Sequence, residues 1–337
     1  MLPRRMRLAT MIALVAATTL TLAGCGTGDV GAPQSQDVTL ALDFAPNAVH
    51  AGIYSAIART YDQGEGIHLH VQAPSTSADS LKLLETGRAD FAILDIHDLA
   101  IARERHRDVV GIMSIVERPL ASVIAGPAIR NPRQLEGKIV GVTGVPSDTA
   151  VLRSIVSGAG GDPNKVRTVT IGFNAVPALL AHRVAAATAF WNDEGITLER
   201  RRPGFRVFRV EDYGAPSYPE LVLCATRRTL REDPGVARAL VRTLVRGYGV
   251  TLTDPEGSQA NLISQVHGLD PALVSAQLSA LAPALVAPDG NFGELTLSAL
   301  EAWAKWEARE RIVAAPPDVF QSFDPHFVAG TASLVGS

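Results

Sequence analysis

Several features that would fix a function at once are missing. The sequence has no GxxxxGK[ST] and no GxSxG run, so neither a P-loop nor a nucleophile elbow is signalled and no nucleophile–base pair can be named. Lys and Arg total 31 against 34 Asp and Glu, a near balance with nothing that marks a nucleic-acid face. Cysteine occurs twice, as Cys25 and Cys224. The histidines, 8 in all, do not assemble: His68 and His70 share a strand face, but no nearby Cys, His or carboxylate completes a set. A solvated strand face is therefore the expectation there, and no metal or cofactor is implied. No internal repeat stands out, and past residue 37 no apolar run is long enough to span a bilayer. Aromatics make up only 5% of the chain, so where they fall carries information. What remains is a chain of 337 residues, 47% of them hydrophobic, for which two domains are expected.

The first forty residues read as export and tethering. Arg4, Arg5 and Arg7 form a basic start, Met11–Ala23 is a short apolar run, and Leu22-Ala23-Gly24-Cys25 follows. Small residues before a cysteine at this place resemble a bacterial lipobox, which implies cleavage before Cys25 and lipidation of its thiol. Residues 1–24 are then a lipoprotein signal peptide, and the small, polar residues 25–37 a flexible tether. With Cys25 lipidated no internal disulfide is possible, and Cys224 in ELVLCAT is most simply a small buried hydrophobe. The expected product is a soluble domain leashed to the extracytoplasmic face of a cell membrane.

Residues 38–54, VTLALDFAPNAVHAGIY, set the pattern for the rest: a strand, a break at Pro46, and a helix. Strands follow at 67–71, 89–94 and 109–116 with helices between them, a rhythm that argues a mostly parallel sheet. A second α/β series runs from 122 to 210, then a strand at 221–226 and helices to about 309. The reading is α/β with two lobes, residues 38–120 plus 224–330 forming lobe 1 and 121–223 lobe 2. The helical tail is expected on lobe 1. Two crossings, near 117–122 and 219–226, would make a hinge that closes over a ligand.

Ligands of open α/β sheets bind beyond the carboxyl ends of strands. The candidates are therefore Phe44, Asn47, His50 and Tyr54 after the first strand, and Trp191, Asn192 and Glu194 after the strand at 186–190. Ser147 at a helix start after Gly144-Val145-Pro146 and Tyr213 before the second crossing join them. The plainer alternatives stay open: Phe44 and other aromatics as core, Asn47 as a helix cap, His50 as a surface residue. Asp95 and Asp98 around His97 read as a helix N-terminus rather than a site.

LDFAPNAVHAGIY resembles a signature of the thiamine-pyrimidine family, which includes lipoproteins of ABC importers that bind pyrimidine precursors of thiamine, and the eukaryotic pyrimidine synthase. GRADFAI (87–93), RPLASVIA (118–125), NPRQLEGKIVGVTGVPSD (131–148), FWNDEGITL (190–198) and DYGAPSYPELVL (212–223) continue the match. The resemblance implies a type II periplasmic-binding-protein fold, a pyrimidine stacked on an aromatic with Asn47 and Glu194 at its edge, and an ABC permease and ATPase as partners. It also offers an enzymatic alternative, a synthase consuming His50 with a pyridoxal cofactor and iron. Against that stand the lipobox and the lack of the synthase's CCCFC run, so a binding protein rather than an enzyme is expected. Phe44 stands where the family commonly has Trp. Riboflavin- and sulfonate-binding relatives share the fold, which leaves other heteroaromatic or sulfonate ligands as alternatives.

Overall fold

Strand β1 (Gln36–Ala41) lies parallel to β2 (Ile67–Gln72), with Gln36 opposite Ile67. The computed structural model describes residues 35–76, 79–287 and 290–331; the expected signal peptide, Cys25 and the tether as far as residue 34 lie outside them. The strand starts ahead of the expected Val38, because Gln36 and Asp37 already pair with the neighbouring strand although both are exposed.

The first sheet adds β3 (Phe91–Asp95), β4 (Val109–Val116) and β10 (Leu221–Thr226) in the order β2-β1-β3-β10-β4. The second contains β5 (Ala121–Ala125), β6 (Ile139–Val142), β7 (Arg167–Thr170), β8 (Ala186–Phe190) and β9 (Arg206–Arg209) in the order β7-β6-β8-β5-β9. In each sheet the strand that arrives from a crossing runs antiparallel and inserts next to the edge: β5 between β8 and β9, β10 between β3 and β4. All of β10 belongs to the first sheet, from the pairing of Leu221 with Asp95 onward. The lobe boundary expected after residue 223 therefore falls inside a strand, and the crossing itself ends at Glu220.

The two crossings are fastened to each other. Glu220, on the return crossing, accepts hydrogen bonds from the backbone N–H of Leu120 and Ala121 on the outgoing one. Trp191 adds a third fastening by donating its indole N–H to the Pro119 carbonyl at 2.9 Å. Beneath them lies a buried polar chain: His97 bonds Glu307 through Nδ1 and the Tyr218 hydroxyl through Nε2 at 3.1 Å.

The tail does not pack on the first lobe alone. Helices Pro234–Thr253 and Pro255–Gln265 do lie against Ala51–Ala58, where the Tyr248 hydroxyl donates to the Val49 carbonyl at 2.9 Å. Helix Pro271–Leu281, however, reaches lobe 2 through Gln277, which hydrogen-bonds Asp193. Helix Leu297–Arg309 places Trp303 and Trp306 in one apolar cluster with Leu135, Val140 and Ile155 of lobe 2. Its end is tied there too, Arg309 donating to the Gly214 carbonyl at 2.9 Å. Trp306 packs on Tyr218 beside the return crossing, while Trp303 packs on Phe323, so this helix serves both lobes.

The contact between helices 51–58 and 234–253 depends on a missing side chain. At Gly52 an added Cβ would be driven into the Tyr248 ring. Tyr248 is fully buried, stacked on Phe292 with centroids 4.5 Å apart, and has nowhere to retreat. Gly52→Ala should therefore destabilise the protein by about 1–3 kcal/mol through overpacking. Thermal unfolding would show it, and a melting temperature equal to wild type would contradict the packing described.

Candidate functional site

The strands of both sheets deliver their carboxyl ends to one cleft between the lobes, with an empty volume of about 770 Å3 counting its open mouth. Phe44 stands three residues beyond the end of β1, and Phe173 three residues beyond the end of β7. They meet across the cleft edge-on, with centroids 4.3 Å apart and planes at 67°. An aromatic from each lobe thus flanks the same space.

Five acidic residues, Asp43, Asp95, Asp98, Asp148 and Glu194, border the cleft together with His97, and among the described residues no lysine or arginine does. Burial is the first cause of each of the following shifts. Glu194, whose Oε2 accepts from the Phe190 N–H at 3.0 Å, is pushed up to about 8, with neighbouring Asp193 adding to it. Asp95 caps helix Ile96–Glu104 by accepting from the His97 N–H at 2.8 Å and is raised to about 6. Asp98 is raised well above the usual carboxylate range, with Asp95 reinforcing the effect. Asp148 is raised despite accepting from the Thr143 hydroxyl at 2.6 Å and the Gly144 N–H at 3.0 Å. Asp193, behind the lining, is raised to about 6 although Gln277 and Asn47 donate to it.

A carboxyl near neutrality such as Glu194 offers one donor and one acceptor side by side. That pair complements an amino group next to a ring nitrogen, in which the N–H donates and the ring nitrogen accepts. An anionic ligand would meet mostly acidic groups, and the imidazole of His97, which also borders the cleft, is already engaged by Glu307 and Tyr218.

These shifts also set a pH dependence of stability. Glu194 and Glu220 at about 8, and Asp95 and Asp193 at about 6, keep their protons to higher pH in the folded chain than at their ordinary values of 4.5 and 3.8. For His97, burial opposes the charge, but Glu307 and Asp95 outweigh it and hold the imidazole up at about 10. The folded state thus binds more protons, so the free energy of unfolding falls as pH rises. The stabilisation is complete below the unfolded carboxyl values and is lost through the window from about 4 to 8 for the acids, and for His97 from about 6.5 to 10. Calorimetric melting should give a transition several degrees higher near pH 5.5 than near pH 8.5 (both about); a rising or flat profile would contradict these shifts.

Of the residues singled out in the sequence, Phe44, Ser147 and Glu194 border the cleft. Asn47 and His50 are instead spent on each other and the backbone. Asn47 Oδ1 accepts from the Val49 N–H at 2.8 Å, while the Asn47 N–H donates to His50 Nδ1 at 3.1 Å, a reciprocal cap on residues 48–50. His50 is fully buried, and its Nε2 lies 2.9 Å from Asp43 Oδ1, so it orients a cleft carboxylate from behind. Asn47 Nδ2 donates across to Asp193 at 3.2 Å, joining the lobes. Tyr54 packs with Leu262, Val274 and Leu278. Trp191 is buried, with the Arg209 guanidinium 3.9 Å above its ring and its N–H on the first crossing. Asn192 is buried outside the lining, and neither of its amide atoms finds a protein partner. Tyr213 sits edge-on to Phe208, its backbone against Gly158. The residues not singled out are Asp43, Asp95, Asp98, Asp148 and Phe173. Asp43 and Asp148 lay inside the strand-end segments already marked, and Asp95 is a helix cap that borders the cleft as well.

Among solved structures, the alkanesulfonate-binding protein SsuA from Xanthomonas axonopodis pv. citri superposes with a TM-score of 0.69 at 17% identity, covering 87% of this chain and 100% of that one. Two five-stranded sheets joined by paired crossings over a cleft define a type II periplasmic-binding-protein fold. The NMT1/THI5 like family model matches residues 47–258, and the chain belongs to that family. It is 29% identical over 295 residues to the formylaminopyrimidine-binding protein of Halalkalibacterium halodurans, covering 85% of this chain and 89% of that one. It is 24% identical over 224 residues to the 4-amino-5-hydroxymethyl-2-methylpyrimidine phosphate synthase of Legionella pneumophila, covering 65% and 70%.

The lining does not fit a synthase of the kind considered from the sequence. A pyridoxal group is commonly held through a lysine amine, and among the described residues no lysine borders the cleft. His50, which that reaction would consume, is fully buried with both ring nitrogens engaged.

Proposed function

We propose that this protein is the solute-binding component of an ABC importer and captures a thiamine-related aminopyrimidine, of the hydroxymethylpyrimidine or formylaminopyrimidine type, by closing its lobes around the ring. The observation that carries the reading is the cleft lining: five carboxyl groups and, among the described residues, no lysine or arginine, with His97 turned to Glu307 and Tyr218 and a phenylalanine from each lobe beside them. Phe44 and Phe173, now in contact with each other, part to lie against a flat ring, and Glu194 takes the amino group and adjacent ring nitrogen as a two-bond fork. The likeness to the formylaminopyrimidine-binding protein supports the same ligand class. The protein acts outside the cytoplasm, held to the membrane by a lipid on Cys25, and hands its cargo to a permease driven by an ATPase.

Titration calorimetry tests the ligand with a hydroxymethyl- and a formylaminomethyl-aminopyrimidine, the phosphate ester of the former, an alkanesulfonate and riboflavin. Binding of the uncharged pyrimidines with a negative heat-capacity change, and weak or no binding of the phosphate and the sulfonate, is expected. Tight sulfonate or flavin binding with no heat from any pyrimidine would remove the assignment.

A further inference from the structure

The two histidines set aside in the sequence acquire a third partner in the fold. Parallel pairing of β1 with β2 puts Asp37 directly opposite His68, and Thr39 opposite His70. Aligned residues of neighbouring strands project from one face of a sheet, and so do residues two apart on one strand. Asp37, His68 and His70 therefore stand together, all exposed, with one ligand atom of each within 4.8 Å of the others. His70 Nε2 is 2.9 Å from Asp37 Oδ1, and the two imidazoles meet edge-on at 4.6 Å.

We propose that Asp37, His68 and His70 form a binding site for a divalent cation of the zinc type on the outer edge of the first lobe. Two imidazoles and a carboxylate are the donor set that borderline cations take, with a water completing a tetrahedron. Ligand atoms around a tetrahedral zinc stand about 3.3 Å apart. The present spacing needs side-chain turns of about an ångström, which exposed side chains on a fixed ladder can make. The other cluster of this kind among the described residues, Asp95 with His97 and Glu220, is engaged in the hinge: Glu220 grips backbone amides, and His97 grips Glu307 and Tyr218. The surface site borders no part of the cleft. Its metal would rivet the beginning of β1 to the edge strand β2, where the chain enters the folded domain.

The test is calorimetric titration of the full chain with ZnCl2 near neutral pH, in a Cys25→Ser background so that the buried Cys224 is the only thiol. One equivalent of zinc is expected to bind, with affinity falling at least tenfold in Asp37→Asn and lost in His68→Gln/His70→Gln. Cobalt(II) bound in place of zinc should give visible absorption bands that vanish in the double variant, whose circular dichroism and aminopyrimidine affinity stay those of the parent. No binding at millimolar zinc, or equal binding by the double variant, would overturn the proposal.

Discussion

Glu194→Ala is expected to weaken aminopyrimidine binding on the order of 100-fold, about 2–3 kcal/mol, while Glu194→Gln stays within about tenfold of wild type. The contrast follows from the state of the carboxyl. Held up at about 8 by burial and by Asp193, Glu194 is chiefly protonated at neutral pH and presents one donor and one acceptor. A glutamine amide presents the same pair in nearly the same shape and can still accept from the Phe190 N–H, now 3.0 Å from Oε2. Alanine leaves both ligand groups and that N–H without partners in a desolvated space. Titration calorimetry on both variants reads the difference. A glutamine variant as poor as the alanine one would show that the ligand needs an ionised carboxylate, and full affinity in both would remove Glu194 from the site.

His97→Ala should produce the largest loss of stability of any single change discussed, about 3–5 kcal/mol. Glu307 is fully buried, and His97 is its side-chain hydrogen-bond partner; its second carboxyl oxygen has none. Removing the imidazole strands that carboxylate in the core and also takes away the neighbour of the Tyr218 hydroxyl. Denaturant unfolding measures the cost. His97→Leu/Glu307→Leu should be distinctly less damaging than the sum of its single changes, since the pair is removed together. A loss below about 1 kcal/mol in His97→Ala would mean that water replaces the pair at little expense.

The central strands were legible because they are short apolar runs bounded by Gly, Pro or polar residues, and the edge strand Ile67–Gln72 by its alternation. The run Val109–Val116 is one such strand, buried throughout. Less legible was where polar side chains at strand ends point. Asn47 and Trp191 have the right chemistry and stand near the right strand ends, yet their polar atoms are taken by the N–H of Val49 and the carbonyl of Pro119. Local capping geometry decides this, and one-dimensional spacing does not contain it. Asp95 fails in the opposite direction. It is the helix cap that its position suggests and a wall of the cleft as well, because a helix starting at the end of β3 must begin at the cleft. The Asp37–His68–His70 group was invisible for a further reason: its members are joined by the strand register, across a separation that no local motif spans.

The fastened crossings have a mechanical consequence. Glu220 holds the outgoing backbone at Leu120 and Ala121, and Pro119, Pro216 and Pro219 stiffen the same few residues. Helix Leu297–Arg309 adds a third tie beside them through Trp306 on Tyr218 and Arg309 on Gly214. Ties of this kind would stay intact through a hinge rotation and would break in a slide. Displacement then grows with the lever arm. Ala121, Ser122 and Leu221, next to the crossings and part of the cleft lining, would then travel little. A ligand touching them would meet a surface that is in place before the lobes close.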